Sequence, residues 1–313
     1  MTSLEGILMA MEKKRRKPKR QVTGLLSPRN DYVFKRLLGD PAHIDLLKDF
    51  LLSILDLPKS EYKSLILMNP HLPGEYPGDK EGILDVKIIT RSKKVINVEI
   101  QVEPFSSLPE RILFYTANMV TEQIRESEDY DVIKQVTSIV ITDHILHKGY
   151  VDYHQRFRLR NDSGKLLFTD KLEIHTLELP KVPSVSDDTE LWKWPRFFAA
   201  KTKGDFEMVS KVSPVIAKAY AVLQELSADD QARQIAESRE KYRRDEAARR
   251  KDAQKLGEEI GKKKGRAEGR AEGRAEMVQN MLLGGMSHTQ VATLTKLSLA
   301  EVKRLAKEPI FAG

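Results

Sequence analysis

Cysteine is missing from all 313 residues of this chain. Its absence excludes a disulfide framework, a thiolate metal site and a cysteine nucleophile. Long apolar runs are missing too, because no stretch approaches the ~20 residues that a membrane-spanning helix needs. The apolar piece at residues 7–11 is too short for a signal peptide and precedes the basic run instead of following it. We therefore expect a cytoplasmic protein without a membrane partner.

Positive charge is concentrated near the N-terminus. The chain carries a net charge of +7, and residues 11–20 hold seven basic residues and one acid. A block of this kind repels itself, and it can bind phosphates without reading sequence. Lys13, Lys14, Arg15 and Arg16 are therefore predicted to contact DNA. A solvated tail with no binding role is the equally weighted alternative.

Polar and apolar residues alternate along residues 95–102, which indicates a strand with one polar and one apolar face. Asn97, Glu99 and Gln101 fall on one face, and the intervening Ile and Val residues fall on the other. Residues 82–90 also resemble a strand, rich in β-branched residues. The polar residues 91–94 between the two segments predict a hairpin.

The hairpin can bring Asp85 and Glu99 together on one face of a sheet. Two carboxylates on a largely apolar sheet repel each other, and a divalent cation relieves this repulsion. Mg²⁺ prefers one or two carboxylates plus water and phosphate, so the pair predicts a metal-dependent phosphodiesterase site. The alternative is an ordinary hairpin with a polar outer face. We disfavour it because Asp is depleted in strands and Asp85 lies inside an otherwise apolar one.

Asp85 followed by Glu99-x-Gln101 resembles the PD-(D/E)XK nuclease core in its E-x-Q variant. Residues 25–40, LLSPRNDYVFKRLLGD, are similar to the opening of the Rpn family of recombination-promoting nucleases, also described as transposases. The resemblance implies an α/β fold with a restriction-endonuclease-like core, in which helices flank a mixed central sheet, and an α-helical C-terminal extension. It also implies a Mg²⁺-dependent DNA endonuclease that promotes recombination or acts on mobile DNA, with other divalent cations as alternatives.

The same resemblance assigns roles at the site. Asp85 and Glu99 would bind the metal with the carbonyl of Ile100. Gln101 stands where the wider superfamily has lysine, and it can orient water but carries no charge. Lys87, two residues after Asp85, would supply the missing cation to the phosphate. Its alternative is a solvent-facing sheet lysine.

Two helices are expected to contribute further residues. An acid from the opening helix often joins this kind of metal site, so Asp31 is a candidate ligand. Asp31 also suits a helix start, which is its structural alternative. Arg111 and Tyr115 share a helix face at i, i+4 and occupy the place of a DNA-contacting motif in related nucleases. The alternative for Arg111 is a side chain that packs its stem and exposes its charge.

The chain divides into four predicted segments: a basic tail at 1–24, a nuclease domain with an appended hairpin and helices at 25–225, a charged helix and Gly-x-x-x repeat linker at 226–276, and a small helical unit at 277–313. The nuclease domain shows the order helix, strand, strand, strand, helix, strand. Trp192, Trp194, Phe197 and Phe198 are predicted to be core, with base stacking as a weaker alternative.

Glycine recurs every fourth residue along 257–276. Each glycine costs a helix about 1 kcal/mol relative to alanine, so a semi-flexible spacer is favoured slightly over two closely packed helices. Beyond the repeat, Gly284 and Gly285 stop one helix, and Ser287 and Ser298 cap two more. These helices resemble a helix-turn-helix unit that could bind DNA or protein, or join two copies of the chain.

A second hypothesis for the function needs no catalysis. A nuclease fold can serve as a DNA-binding or regulatory protein that works through its basic tail and C-terminal helices. The intact set Asp85, Glu99 and Gln101 favours the enzyme.

Overall fold

The computed structural model describes residues 24–68, 71–72, 82–83 and 86–307, with only the backbone at 71–72 and 82–83. This part of the chain divides into two compact units, and the division falls between Tyr242 and Arg243. The sequence-based boundaries were placed at 225/226 and 276/277. The basic residues 13–16 and Asp85 lie outside the described residues.

The first unit begins with two helices, continues with strands interrupted by one helix, and ends with further helices. Its elements are α1 (Asp31–Leu38), α2 (Ile44–Ile54), β1 (Ile66–Met68), β2 (His71–Leu72), β3 (Gly82–Ile83), β4 (Val86–Ile89), β5 (Val95–Gln101), α3 (Leu108–Thr121), β6 (Val136–Thr142), β7 (His154–Arg158), β8 (Leu172–Glu178), α4 (Lys193–Ala199), α5 (Lys203–Ser210), α6 (Pro214–Ala228) and the start of α7 (Asp230–Leu283). Short 3₁₀ turns lie at Pro41–His43, Lys59–Lys63, Tyr130–Val132 and Leu179–Lys181.

The main sheet has six strands in the order β1-β4-β5-β6-β8-β7. β1, β4 and β5 are antiparallel neighbours, β5, β6 and β8 run parallel, and β7 closes the edge antiparallel to β8. The expected mixed α/β sheet and the order helix–strand–strand–strand–helix–strand are therefore confirmed. The expectation of one strand over 82–90 is wrong, because Gly82–Ile83 pairs with His71–Leu72 in a separate two-stranded ladder.

The turn between β4 and β5 is fixed by local hydrogen bonds. The N–H of Thr90 donates to the carbonyl of Lys94 (2.9 Å), and Lys93 adopts a positive φ of 67°. The Glu61 carboxylate accepts from the hydroxyls of Thr90 and Ser92 and from the N–H of Ser92. This network fixes the register in which Val86 faces Val98 and Lys87 faces Asn97.

The two faces of the sheet are covered differently. One face packs on α1, α2, α4 and α6 in the largest core cluster, which includes Ile96, Val98 and Ile100 of β5. The four aromatic residues predicted to be core belong to this cluster, and each is at most 1% exposed, which confirms their structural role. The other face lies under α3, where the Thr116 hydroxyl is 2.7 Å from that of Ser138.

The start of the described chain is held by the end of the first unit. The N–H of Leu26 donates to Ser227 Oγ (2.9 Å), a contact that spans 201 residues. Arg233 Nη2 donates to the carbonyl of Gly24 (2.7 Å), and Asn30 Nδ2 donates to that of Ala236 (2.9 Å). The loop before α1 is thereby tied to residues 227–236.

The second unit contains the rest of α7 followed by α8 (His288–Thr295) and α9 (Leu299–Leu305). The repeat at 257–276 lies within α7, so the structure shows a helix where the sequence favours a semi-flexible spacer. No described atom outside the helix lies within 4 Å of the position that a Cβ would take on the glycines of the repeat. Ser287 and Gln290 form the expected capping box, and Ser298 caps α9. Val278, Val291, Val302 and Leu305 form a small core.

Among the described residues, no helix combines the length and the apolar character that a membrane span would require.

Candidate active site

The polar face of β5 lies under α3. Asn97 and Glu99 are each 2% exposed, and Gln101 is half-buried at the end of the strand. The expected alternation along residues 95–102 is confirmed, because Ile96, Val98 and Ile100 belong to the core cluster on the other face. The parallel register places Glu99 beside Val140 and Gln101 beside Thr142 of β6.

The predicted partner of Glu99 in the site is Asp85. Asp85 lies outside the described residues, and its successor Val86 pairs with Val98, the residue before Glu99. Within the described ranges, no group of three or more His, Asp or Glu side chains could hold a metal ion. The predicted ligand set includes Asp85 and therefore extends beyond those ranges. Glu99 itself offers the hard oxygen donors that Mg²⁺ prefers, and so fits such an ion.

Lys87 shares the face of Glu99, because it lies opposite Asn97 in the antiparallel register. Its ammonium is committed elsewhere in this structure. Lys87 Nζ lies 2.6 Å from Glu122 Oε2 at the end of α3, and the lysine side chain is only 13% exposed. Asn97 precedes Gln101 by four residues, about 13 Å along a strand. Lys87 is therefore neither a solvent-facing lysine nor a free cation beside Gln101.

Asp31 occupies the first turn of α1. The helix is capped by Asn30, whose side chain accepts from the N–H groups of Tyr32 and Val33, so Asp31 is not the cap residue. The Asp31 carboxylate is 40% exposed and lies 3.5 Å from Arg239 of α7. Its predicted role as a metal ligand stays a prediction.

Arg111 and Tyr115 contact each other on α3, as their spacing predicted. The Arg111 guanidinium carbon lies 5.4 Å from the centre of the Tyr115 ring and 5.9 Å from that of Phe105. Its Nε is buried without a hydrogen-bond partner among the described residues. Phe114, 47% exposed, packs edge-on against Tyr115. A cation flanked by aromatic rings suits a nucleic acid, which presents phosphates and stacking bases.

A second set of polar residues lies at the carboxyl ends of β5, β6 and β8, where Gln101, Thr142 and Glu178 are aligned by the register. Open α/β sheets bind ligands at this edge. The Glu178 carboxylate, fully buried, accepts from the N–H groups of Leu146 and His147 and pairs with Lys181 (2.9 Å). These contacts fix the loop that follows β6.

His144 belongs to that loop. Burial lowers the pKa of its imidazole most, although a hydrogen bond to the backbone of Val102 and the charges of Asp143 and Glu178 oppose the shift. Its Nδ1 is buried without a partner among the described residues. A neutral imidazole is therefore expected beside the residue that follows Gln101.

Sequence reasoning missed Arg29, Asp143, His144 and Glu178 at this edge. Arg29 Nη1 donates to both carboxylate oxygens of Asp143, each at 2.9 Å, and the N–H of Asp143 donates to the carbonyl of Gln101 (3.0 Å). One signal was available, because Asp143 and His144 directly follow a predicted buried strand. No local signal joined Arg29 to them, 114 residues away.

A mixed sheet with a buried Glu-x-Gln strand under a helix that presents arginine and tyrosine has the architecture of a PD-(D/E)XK nuclease core. Comparison with protein families agrees: the model of the PD-(D/E)XK nuclease family transposases matches residues 28–253. The chain belongs to this family. Comparisons with curated proteins and with solved structures returned no match.

Proposed function

We propose that this chain is a Mg²⁺-dependent DNA endonuclease that acts in recombination or on mobile DNA. Membership of a family of nuclease-type transposases supports the general class. The metal, the activity of this particular chain and its place in recombination are the parts that we add.

The observation that carries the proposal is the position of Glu99. It lies on the polar face of β5 under α3 and is 2% exposed, in a strand whose other face is apolar core. In the antiparallel register its neighbour Val98 faces Val86, the residue that follows Asp85. Glu99 offers the oxygen donors that Mg²⁺ prefers, and it stands at the position of a metal ligand in the E-x-Q pattern.

In this proposal, Glu99 and Asp85 hold the ion with the carbonyl of Ile100, and Asp31 completes the set. When bound, Mg²⁺ would polarise the scissile phosphate and lower the pKa of a water. Gln101 orients the attacking water through its amide group.

The helix α3 and the basic tail serve DNA binding. Arg111 and Tyr115 contact the backbone near the cleavage point, and residues 13–16 add affinity without sequence information. We further propose a cytoplasmic enzyme that can self-associate through the helices after residue 277.

Nicking of supercoiled plasmid tests the proposal. The wild-type chain should convert supercoiled to open-circular DNA with Mg²⁺, and excess EDTA should stop the reaction. Glu99→Gln, which keeps the shape of the side chain and removes its charge, should be inactive while still binding DNA. Binding without cleavage by the wild-type chain would instead favour a nuclease-fold protein that acts by binding.

A further inference from the structure

Gln101 leaves the proposed site short of positive charge. The phosphate gains negative charge as the water attacks, and a cation aimed at that charge stabilises the transition state. Glutamine can donate a hydrogen bond, but it carries no charge. Arg111 is already assigned to the DNA backbone, and the other described basic residues near this end of β5 differ in position and in existing partners.

Lys87 and Lys181 lie beside the sheet, and each already forms an ion pair. Lys87 is paired with Glu122, and its backbone lies opposite Asn97, four residues from Gln101. Lys181 pairs with Glu178 and donates to the carbonyl of His147 (2.9 Å), which holds it to the loop after β6. Either lysine would have to break its ion pair to reach a phosphate.

Arg29 is placed differently. Its Nη1 bonds both oxygens of Asp143, and the N–H of Asp143 bonds the carbonyl of Gln101, so one residue links the guanidinium to the strand end. The side chains of Arg29 and Asp143 are 15% and 25% exposed, so the pair is partly accessible to solvent at this edge.

The guanidinium also has donors to spare. Arginine carries five N–H donors in a planar fork, and a carboxylate and a phosphate oxygen can be bound by different sides of it. Nη1 serves Asp143, and Nε makes a long contact of 3.4 Å with Ser27 Oγ. Nη2 has no hydrogen-bond partner among the described residues.

We propose that Arg29 binds the scissile phosphate through Nη2 and supplies the cation that Gln101 lacks, while Asp143 positions the guanidinium. The inference rests on the proposed nuclease function for its catalytic part. Its binding part, a contact between Arg29 and a DNA phosphate, is measurable in the absence of cleavage.

The first experiment measures that contact by the salt dependence of DNA binding. Affinity of the full chain for a random-sequence duplex is determined in EDTA over a range of KCl concentrations. Each phosphate contact contributes about −0.9 to the slope of log K against log salt, so the slope for Arg29→Gln should be less steep by roughly one. Arg91→Gln removes an exposed arginine from the turn at the opposite end of β5 and should leave the slope unchanged.

An unchanged slope for a folded Arg29→Gln chain would overturn the proposal, whether or not the wild type cuts DNA. Arg29→Lys guards against a folding defect, because it keeps the charge and a partner for Asp143. It should retain the wild-type slope but lose cleavage rate, since an ammonium lacks the planar fork.

The second experiment separates a phosphate contact from a purely structural clamp. Arg29→Gln and Asp143→Asn break the same ion pair, so a clamp alone predicts equal losses of single-turnover rate at saturating DNA and Mg²⁺. We expect Arg29→Gln to lose about 100-fold or more, as for one electrostatic donor removed from a transition state, and Asp143→Asn to lose much less.

A Gln101→Lys substitution tests whether Arg29 replaces the lysine of the wider superfamily. If Arg29 supplies the cation that Gln101 lacks, the loss caused by Arg29→Gln should shrink at least tenfold in a Gln101→Lys chain. Equal losses in both backgrounds would mean that Arg29 acts independently of position 101. A wild-type chain that binds DNA but never nicks it would refute the nuclease function, and the salt slope would still decide the contact.

Discussion

Lys87 of β4 and Glu122 at the end of α3 form an ion pair with an Nζ–Oε2 distance of 2.6 Å. The pair joins the antiparallel half of the sheet to the helix that covers the candidate site. The lysine is 13% exposed and the glutamate 35%, so water screens the pair only in part.

We expect Lys87→Met to destabilise the fold without removing cleavage. Hydrogen bonds to charged groups contribute about 1.5–3 kcal/mol, and partial exposure lowers this figure, so breaking the pair should cost about 1–2 kcal/mol of unfolding free energy. Glu122→Gln should cost a similar amount, and the double variant should cost less than the sum. Denaturant unfolding and plasmid nicking measure the two effects. A Lys87→Met chain that is stable but inactive would restore the catalytic role predicted for Lys87.

Glu99→Gln should lower the cleavage rate by more than about 100-fold, because the ion that would activate the water loses a charged ligand. Glu173→Gln is the matched control. Glu173 is also buried, but it lies on the opposite face and binds Arg158 (2.6 Å) and His175 (2.7 Å). The control should lose thermal stability and keep its activity. Equal activity of the two variants would remove Glu99 from the site.

Acid should destabilise the first unit through His154. Burial and the neighbouring His175 lower the pKa of His154 to about 4, against opposing charges from Asp56 and Glu173. The unfolded chain binds this proton near its ordinary pKa of about 6.5. Between these values the unfolded state holds more protons, so the free energy of unfolding falls as the pH drops from about 6.5 to about 4.

The variant His154→Gln tests this dependence, because its amide can still donate to His175 Nδ1, which lies 2.8 Å from His154 Nε2. Urea unfolding at pH 7 and pH 5 should show a smaller loss of stability for the variant than for the wild type. The same loss in both chains would assign the acid sensitivity to other groups.

Deleting residues 1–20 should weaken DNA binding and flatten its salt dependence, while the cleavage rate at saturating DNA stays the same. The segment holds seven basic residues within positions 11–20. Each phosphate that they neutralise contributes about 0.9 to the slope of log K against log salt. Binding titrations at several salt concentrations measure the change. An unaltered slope would identify the segment as a solvated extension.

Removing all residues after Lys255 should leave a folded first unit with residual cleavage. The elements that carry Asp31, Glu99, Gln101 and Arg111 all precede Tyr242, where the first compact unit ends. Circular dichroism melting and plasmid nicking check the two parts of the prediction. Insolubility of the shortened chain would place the C-terminal helices in an obligate interface.

The elements of the fold were largely predictable because their signals are local. Alternation along residues 95–102 placed Glu99 on the polar face, and the apolar run at Val136–Thr142 gave β6 with its observed bounds. The aromatic residues clustered after residue 191 were correctly predicted to be part of the core. In each case hydrophobic burial follows a period that the sequence displays.

The contacts at the site were not predictable in the same way. Arg29 meets Asp143 across 114 residues, and Lys87 meets Glu122 across 35, without any periodic signal. Ion pairs of this kind depend on how strands are ordered, and β8 enters the sheet between β6 and β7 against their order in the chain. The repeat at 257–276 is helical although a semi-flexible spacer was expected. That expectation followed from the low helix propensity of glycine, which disfavours the conformation that the structure adopts.

The contacts that hold Leu26 and Asn30 to residues 227–236 have a consequence for synthesis of the protein. During translation, the loop before α1 emerges about 200 residues before its partners, since Leu26 waits for Ser227 across 201 positions. At about 5–20 residues per second this delay is roughly 10–40 s. Throughout that interval the loop that carries Arg29 lacks these contacts, so the nascent chain can complete its first unit only after residues 227–236 have left the ribosome.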